Sequence, residues 1–540
     1  MTKLATLVFA LAAALAAQVP KIPVFHAASR LVVVNVIVQG KHGAAVTDLT
    51  RNDFAIKDRG MARSISVFSL DASTTGASAI ASSQRLPADT FTNLPHYGAT
   101  PPRSVTIVLL DNLNTLYGST PEPNNSVPEW DEDLALANGR NHLVKFLQTL
   151  QPQDRIAIYG LRHRLHVLCD FTCSRSQLLA LVQGYDTSSV TSRSKVEPDA
   201  MEDNVLPAFN RPSNFARLMM ARGANQNRTT ETLAALRSIA AHVSNIPGRK
   251  NLVWLTSDLT ISPKAMARIL TPADIAVYPI DARGFLAGRE PISVLSGSEG
   301  EDTVSGAAGY RMPSAVPVPP GIPQMDELAA RTGGHAFVNT NDLTGAVRTA
   351  VEDSQVTYTL GFYVDASDLD GKFHQLKIKV DRGGLSIRYP RAYLAYKSQP
   401  ATMSRNQLQL LTALRSPLSS NSIPVLARIA LTNQPSPGTL RITGDVDLHN
   451  LQLTQNGPVR TGAIAIFVFL QNAAGKVLQR AGSTVHIRLT AARYKAELAS
   501  GLLFQQTVQP AAGATLLRLV VQDPATSLMG SIIIPLASVK

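Results

Sequence analysis

Eight residues, SVTIVLLD at Ser104–Asp111, limit the fold more than any other stretch of this chain. A strand that is apolar on both faces cannot lie in a sheet with one wet side. It belongs to a parallel sheet covered by helices above and below. The residues that follow supply such helices. Between Asp133 and Leu150 the apolar positions Leu134, Leu136, Ala137, Leu143, Val144, Phe146, Leu147 and Leu150 recur at near-helical spacing, and RIAIYGL then returns as a strand, completing a βαβ unit. The alternation continues through HRLHVLCDF, SRSQLLALVQGY, TETLAALRSIAAHVSNI, KNLVWLTSD, KAMARILTPA, IAVYPIDARG, a helix around Met325–Thr332, HAFVN and DLTGAVRTAVEDS. This pattern predicts an α/β fold with a doubly wound, mainly parallel sheet, in which HRLHVLCDF fits an antiparallel edge. VTYTLGFYV, FHQLKIKVDR and LSIRYPRAYLAY read as strands that close the module, giving it the bounds 104–397.

The flanks follow a different grammar. LVVVNVIVQG, DFAIKD and SISVFSL, punctuated by Gly40, Gly43 and Gly60, predict a small N-terminal β unit over 29–70. Residues 71–103, rich in Ser, Thr, Ala and Pro, read as a linker. RNQLQLLTAL predicts a connecting helix over 404–416, and six β-patterned runs over 423–540 predict a C-terminal β-sandwich. A chain of 540 residues suits such a division, and 45% apolar against 17% charged residues excludes a disordered protein. Three long interruptions, 117–131, 185–227 and 286–322, fall between elements near the expected ligand face.

The N-terminus, MTKLATLVFALAAALAAQ, sets Lys3 before an apolar run and small residues, so 1–17 reads as a signal peptide and the mature chain as secreted, periplasmic or in the cell envelope. The run is too short to span a bilayer, and no later stretch is long and apolar enough to do so. Loss of Lys3 takes the formal charge only from +12 to +11. The basic residues are scattered rather than bunched, which argues against a specific nucleic-acid site. Cys169 and Cys173 are the two cysteines. Export makes a local disulfide available, and two independent thiols near a strand end remain the other reading.

In a doubly wound sheet, ligands sit at the carboxyl ends of strands where the winding reverses, which points to Asp111-Asn112-Leu113-Asn114-Thr115. Here the sequence resembles the von Willebrand factor A family, whose first strand ends in Asp-x-Ser-x-Ser and holds a divalent cation through oxygen side chains. The resemblance implies Mg²⁺ in octahedral oxygen coordination, with Asp111, Thr115 and Thr230 as metal ligands. It is partial: Leu113 stands where the middle Ser belongs, and Asn114 carries its amide oxygen one position along. The family's Thr maps to Thr229 or Thr230, and its final Asp to Ser257 with Asp258 one step beyond. The implied ligand-binding set is therefore Asp111, Asn114, Thr115, Thr229, Thr230, Ser257 and Asp258. The structural alternative is a set of polar caps at strand-to-helix turns. A closer resemblance, over 29–397, is to the VWFA-related domain family typical of acidobacteria. It rests on VVNVIVQGKHGAAVTDLTRNDFAIKDRG, DNLNT, GRKNLVWLTS, VYPIDARG, TGGHAF, YTLGFY and FHQLKIKV, and it implies export and binding of an extracellular or envelope protein or surface ligand.

Enzyme chemistry finds less support. His163 and His166 lie three apart on a strand, on opposite faces, which argues against shared metal ligation. HExxH, G-x-S-x-G and P-loop motifs do not occur. Gly333-Gly334-His335 fits a helix C-cap. Asp281 ends a strand on the same rim as Asp111, and the two could form a carboxylate pair for hydrolysis. The expectation is thus an exported, non-catalytic adhesion or scaffolding protein, with an exported hydrolase of cell-wall or extracellular polymer as the alternative.

Overall fold

The computed structural model describes residues 30–72, 87, 89–94, 104–114, 132–150, 154–185, 214–246, 248–256, 258–259, 261–283, 321–340, 342–353, 356–396, 402–434 and 436–539. The expected signal peptide, Thr115 and Ser257 lie outside the described residues.

The described chain opens with β1 (Arg30–Gln39), β2 (Phe54–Asp58), β3 (Met61–Arg63) and β4 (Val67–Ala72), followed by β5 (Thr90–Thr92). Next come β6 (Ser104–Asp111), β7 (Ile156–Leu161), β8 (Leu165–Cys169), β9 (Arg249–Thr256) and β10 (Ile275–Asp281), which form one sheet in the order β10-β9-β6-β7-β8. β6 pairs in parallel with β7 and β9, β9 in parallel with β10, and β8 antiparallel with β7 at the edge. The chain leaves β6 toward β7 and later returns on the other side as β9, so the direction of winding switches between β6 and β9.

Both faces of this sheet are covered. Ile107 and Leu109 pack with Leu236, Ile239 and Val243 of the helix Asn214–Val243, and with Met266 and Leu328 of the helices Pro263–Leu270 and Ile322–Thr332. Val108 and Leu110 point the other way, onto Leu143 and Leu147 of Glu132–Leu147, Val182 of Arg175–Gln183 and Val347 of Leu343–Glu352. That two-sided cover is why SVTIVLLD carries no polar alternation. Each such side chain contributes about 1.5–3 kcal/mol through burial.

The strands after this module correct the bounds 104–397. β11 (Val356–Val364), β12 (Lys372–Val380), β13 (Ser386–Arg388) and β14 (Ala392–Ala395) do not close the parallel sheet. β11 lies between β1 and β4, antiparallel to both, with Leu360 opposite Val34, and β12 lies between β2 and β14. The two sheets, β13-β1-β11-β4 and β14-β12-β2-β3, share a core of Val34, Val36, Phe54, Ile56, Tyr358, Leu360 and Leu376. The reason is in the pattern: β12 buries Leu376 and Ile378 while Lys377 and Lys379 are exposed, whereas β9 and β10 are buried throughout. A strand with one wet face cannot join a sheet roofed on both sides. The module is therefore inserted between β4 and β11, and the expected N-terminal β unit is half of a body completed some 280 residues later. HAFVN also shrinks, to one parallel bridge between Phe337 and Ile280.

The remaining strands are β15 (Val425–Thr432), β16 (Thr439–Val446), β17 (Thr454–Asn456), β18 (Val459–Gln471), β19 (Val477–Thr490), β20 (Leu502–Val508), β21 (Leu516–Gln522) and β22 (Met529–Pro535). They form one sheet ordered β20-β16-β15-β5 and another ordered β17-β18-β21-β22, with β19 on the free side of β18. Ile429, Ile442, Ile466, Val468 and Leu519 belong to the core the two sheets share. β5 comes from the segment read as a linker, pairing Phe91 with Ala427, so 71–103 is not purely a linker. The connecting helix is Met403–Arg415, tied to β21 by the Arg518 guanidinium, which donates to the carbonyls of Ala413 and Ser416 at 2.5 and 2.8 Å. A helix at Ala491–Ser500 interrupts the expected run of strands, begun by the Thr490 cap and ended by Gly501 at a φ of 82°. No helix among the described residues is long and apolar enough to cross a membrane.

Candidate functional site

Asp111 is the last residue of β6, at the switch between β6 and β9, and it is fully buried. Its carboxylate is spent on four hydrogen bonds from the module itself. Oδ1 accepts from the backbone N–H groups of Leu113 and Asn114 at 3.0 and 2.9 Å. Oδ2 accepts from the Asn114 amide and from the indole Nε1 of Trp254, a β9 residue, both at 2.8 Å. Burial pushes the carboxyl upward from its ordinary pKa, and the Asn114, Trp254 and Leu113 donors pull it back.

The network spreads from there. The Asn114 amide also donates to Thr232 Oγ1 at 2.9 Å. The Asn114 carbonyl accepts from the Asp258 N–H at 3.1 Å and from Thr256 Oγ1 at 3.2 Å, so the turn after β6 is fastened to the end of β9. Asn112 accepts from the Tyr185 hydroxyl at 3.0 Å, and the absence of a Cβ at Gly160 makes room for that ring, since one there would meet the hydroxyl oxygen at 2.5 Å. Asp258 is buried, with no partner for Oδ1 among the described residues, and its carboxyl is pushed up by burial, against the pull of Arg228 and Arg283 and with a further push from Asp111. Gly321 approaches so closely that a Cβ there would meet Asp258 Oδ1 at 2.8 Å.

This geometry bears on two of the three implied metal ligands, Asp111 and Thr230. A Mg²⁺ ion needs oxygen lone pairs aimed at it from several sides. Those of Asp111 face N–H groups, and a cation beside Oδ2 would meet the hydrogens of Trp254 and Asn114. Thr230 is exposed and donates its hydroxyl to Gln226 O of its own helix at 2.8 Å, and Thr229 is half-buried. As placed, Asp111 and Thr230 therefore do not fit the implied Mg²⁺; Thr115 lies outside the described residues. No group of three or more His, Cys, Asp or Glu among the described residues is arranged to hold a metal. The threonine in this network is Thr232, which the sequence reading missed because it sought that residue ahead of the helix rather than on its buried side. The helix runs from Asn214, and Thr232 shares its buried side with Leu236, Ile239 and Val243. That i, i+4, i+7, i+11 spacing was the available signal.

The carboxylate pair offered for hydrolysis is not free to react either. Asp281 is buried and clamped by Arg283, whose Nε and Nη2 donate at 2.7 and 2.8 Å, while Asp111 is held as described. His163 and His166 are both exposed, and Gly333 caps its helix in the left-handed conformation at a φ of 80°. Cys169 and Cys173 are bonded as a disulfide, with Cα atoms 6.2 Å apart.

Fold and site together define a mixed α/β module, carried by two-sheet bodies, whose rim is closed by internal hydrogen bonds. No family model and no curated protein matches the chain. Among solved structures it is similar to an aerotolerance-related membrane protein from Bacteroides fragilis NCTC 9343 carrying multiple mutations to serines, at 12% identity over 46% of this chain and 98% of that one, with a TM-score of 0.26. It is similar also to the conserved hypothetical protein BatB from Bacteroides thetaiotaomicron, at 11% identity over 46% and 98%, with a TM-score of 0.24. A third is proximal thread matrix protein 1 from the mussel byssus, with a zinc-occupied MIDAS motif, at 9% identity and a TM-score of 0.23; the match covers 48% of this chain and about half of that protein, 47%. At such scores the fold rests on the strand order above.

Proposed function

We propose that this chain is an exported, non-catalytic binding or scaffolding protein built around a doubly wound, von Willebrand factor A-like module, with a β-sandwich C-terminal to it and recognition at the module's carboxyl rim. One observation supports the reading: described residues flanking the three long interruptions lie together at that rim. Asp111 and Asn114 lead into the first, Tyr185, bonded to Asn112, into the second, and the third runs between Arg283, clamped on Asp281, and Gly321, packed on Asp258. A rim fastened by the Asp111 network is a rigid base for such segments, and rigid bases are where binding loops sit. Recognition there uses the protein's own groups and does not depend on Mg²⁺.

A photo-crosslinking amino acid at Thr230, exposed and two residues from Thr232, tests this in the producing cells. An adduct with an envelope or extracellular protein is expected, unchanged by EDTA. The same probe at Lys377, exposed on β12, should give none. Adduct loss on chelation would restore a metal-dependent site, and equal labelling at both positions would end the rim assignment. Turnover of ester, peptide or glycoside substrates by the purified chain would favour a hydrolase instead.

A further inference from the structure

The C-terminal body carries a second surface, remote in sequence from the rim. β19 is a strand of 14 residues bonded along one side only, to β18, from Thr490 opposite Val459 to Val477 opposite Gln471. On its other side, no backbone hydrogen bond is made among the described residues. An open edge about 45 Å long is a template for another strand, and proteins usually block such edges with Pro, Lys or an inward-pointing charge. β19 has none of these: Ile487 and Leu489 fix the odd-numbered positions from Gln479 to Leu489 toward the core, and a register shift opposite Leu470 and Gln471 ends that alternation before Val477.

The even-numbered positions face outward and set the chemistry. Arg480, His486 and Arg488 are exposed there. From Leu448 to Ala496 the sequence contains six Lys and Arg and no Asp or Glu. Of these, Arg460 lies over the Tyr494 ring and Arg493 pairs with Glu497. Gly482 leaves room for the Phe467 ring, which a Cβ would meet at 2.9 Å. A second copy of the chain is a poor occupant: antiparallel self-pairing centred on Thr484 sets Arg480 against Arg488, and no register brings in an acid.

We propose that the free edge of β19 takes up an extended acidic peptide segment of a partner protein by strand addition, its backbone completing the sheet and its alternate carboxylates lying against Arg480 and Arg488. Backbone pairing supplies the affinity and the charge row selects the partner.

The test uses the full chain and a fluorescent twelve-residue peptide alternating Thr and Glu, read by anisotropy. The Thr–Glu peptide should bind, and Arg480→Glu with Arg488→Glu should weaken it by about tenfold. That same variant should gain binding of a peptide alternating Thr and Lys, a positive readout that an unfolded variant would not give. Peptides N-methylated at every odd or every even residue separate the sources of affinity, since strand addition requires one of the two to fail. Equal binding of both methylated forms, equal binding of a polyuronate oligomer, or no binding of the Thr–Glu peptide would each overturn the proposal.

Discussion

Trp254 sits in a strand where an apolar side chain would satisfy packing, yet its indole N–H is aimed at Asp111 Oδ2 at 2.8 Å. The ring is fully buried, so it fills the core and supplies a donor at once. Trp254→Phe keeps much of the ring and removes the donor. One oxygen of a buried carboxylate then depends on the Asn114 amide alone, and a hydrogen bond to a charged group is worth about 1.5–3 kcal/mol. A loss of that size in denaturant unfolding is expected. A change within error would mean that Trp254 matters only by its bulk. Asp111 itself was legible from sequence as the key polar residue at the end of β6, because it follows seven residues without a charge. What it does was not legible. Whether a carboxylate binds a cation or accepts N–H groups depends on distant residues: Trp254, 143 positions from Asp111, and Thr232, 118 positions from the Asn114 that it holds.

Among the elements, the C-terminal end of the helix Asn214–Val243 is where the module meets the segment leading to the C-terminal body. His242 is buried, with Nδ1 at 2.7 Å from the Ser419 carbonyl and Nε2 at 3.1 Å from Asp170 Oδ2. Both ring nitrogens face acceptors, so the ring donates twice only as imidazolium. Burial works against the charge, but the Asp170 carboxylate and the Ser419 carbonyl hold the His242 pKa above its ordinary value. Burial likewise opposes ionised Asp170, and His242 with the Phe171 N–H and Tyr159 hydroxyl brings its pKa below the usual carboxylate range. A raised imidazole stabilises fully below the unfolded value of about 6.5 and loses that contribution as pH rises through the folded value. A lowered carboxyl stabilises above about 3.9 and fails as pH falls through its folded value. The stability difference between the native chain and His242→Gln should therefore peak between these limits, at about 1–3 kcal/mol since Asp170 is partly exposed, and shrink as pH rises through the folded His242 value. Thermal unfolding at pH 5.5 and pH 9 checks it, and a pH-independent difference would dismiss the ion pair. The helices and buried strands of the module were readable because their 3.6-residue and all-apolar patterns are local. The partners of β11–β14 were not: strand pairing across an inserted module leaves no local trace except the alternation of Lys377 and Lys379 with Leu376 and Ile378.

At the scale of the whole molecule, the chain passes directly between the module and the two-sheet body only from the helix Leu343–Glu352 to β11, since after β4 it first pairs as β5 in the C-terminal body, so the stiffness of that joint depends on side chains. They form a continuous polar seam. Asp353, buried at the end of the helix Leu343–Glu352, accepts from Arg388 of β13, from Gln39 of β1 at 3.2 Å and from the Tyr278 hydroxyl of β10 at 3.0 Å. Arg249 of β9 extends the seam, donating to Tyr278 at 3.1 Å and to the Gly333 carbonyl at 2.7 Å. Asn35 of β1 reaches across to Asp274 at 2.5 Å while its own oxygen accepts from Thr359 of β11. Removing one partner from a buried ion pair strands the other and costs about 3–5 kcal/mol, whereas the intact pair contributes less than that to net stability. Asp353→Asn keeps the shape and removes the charge that faces Arg388 and, through Tyr278, Arg249. Because the seam joins two bodies, amide hydrogen exchange should speed up together in β1 and β13 on one side and β9 and β10 on the other. Faster exchange confined to β9 and β10 would mean that the bodies are joined by the chain crossing alone, and that a load on the two-sheet body would not be carried into the module through Asp353.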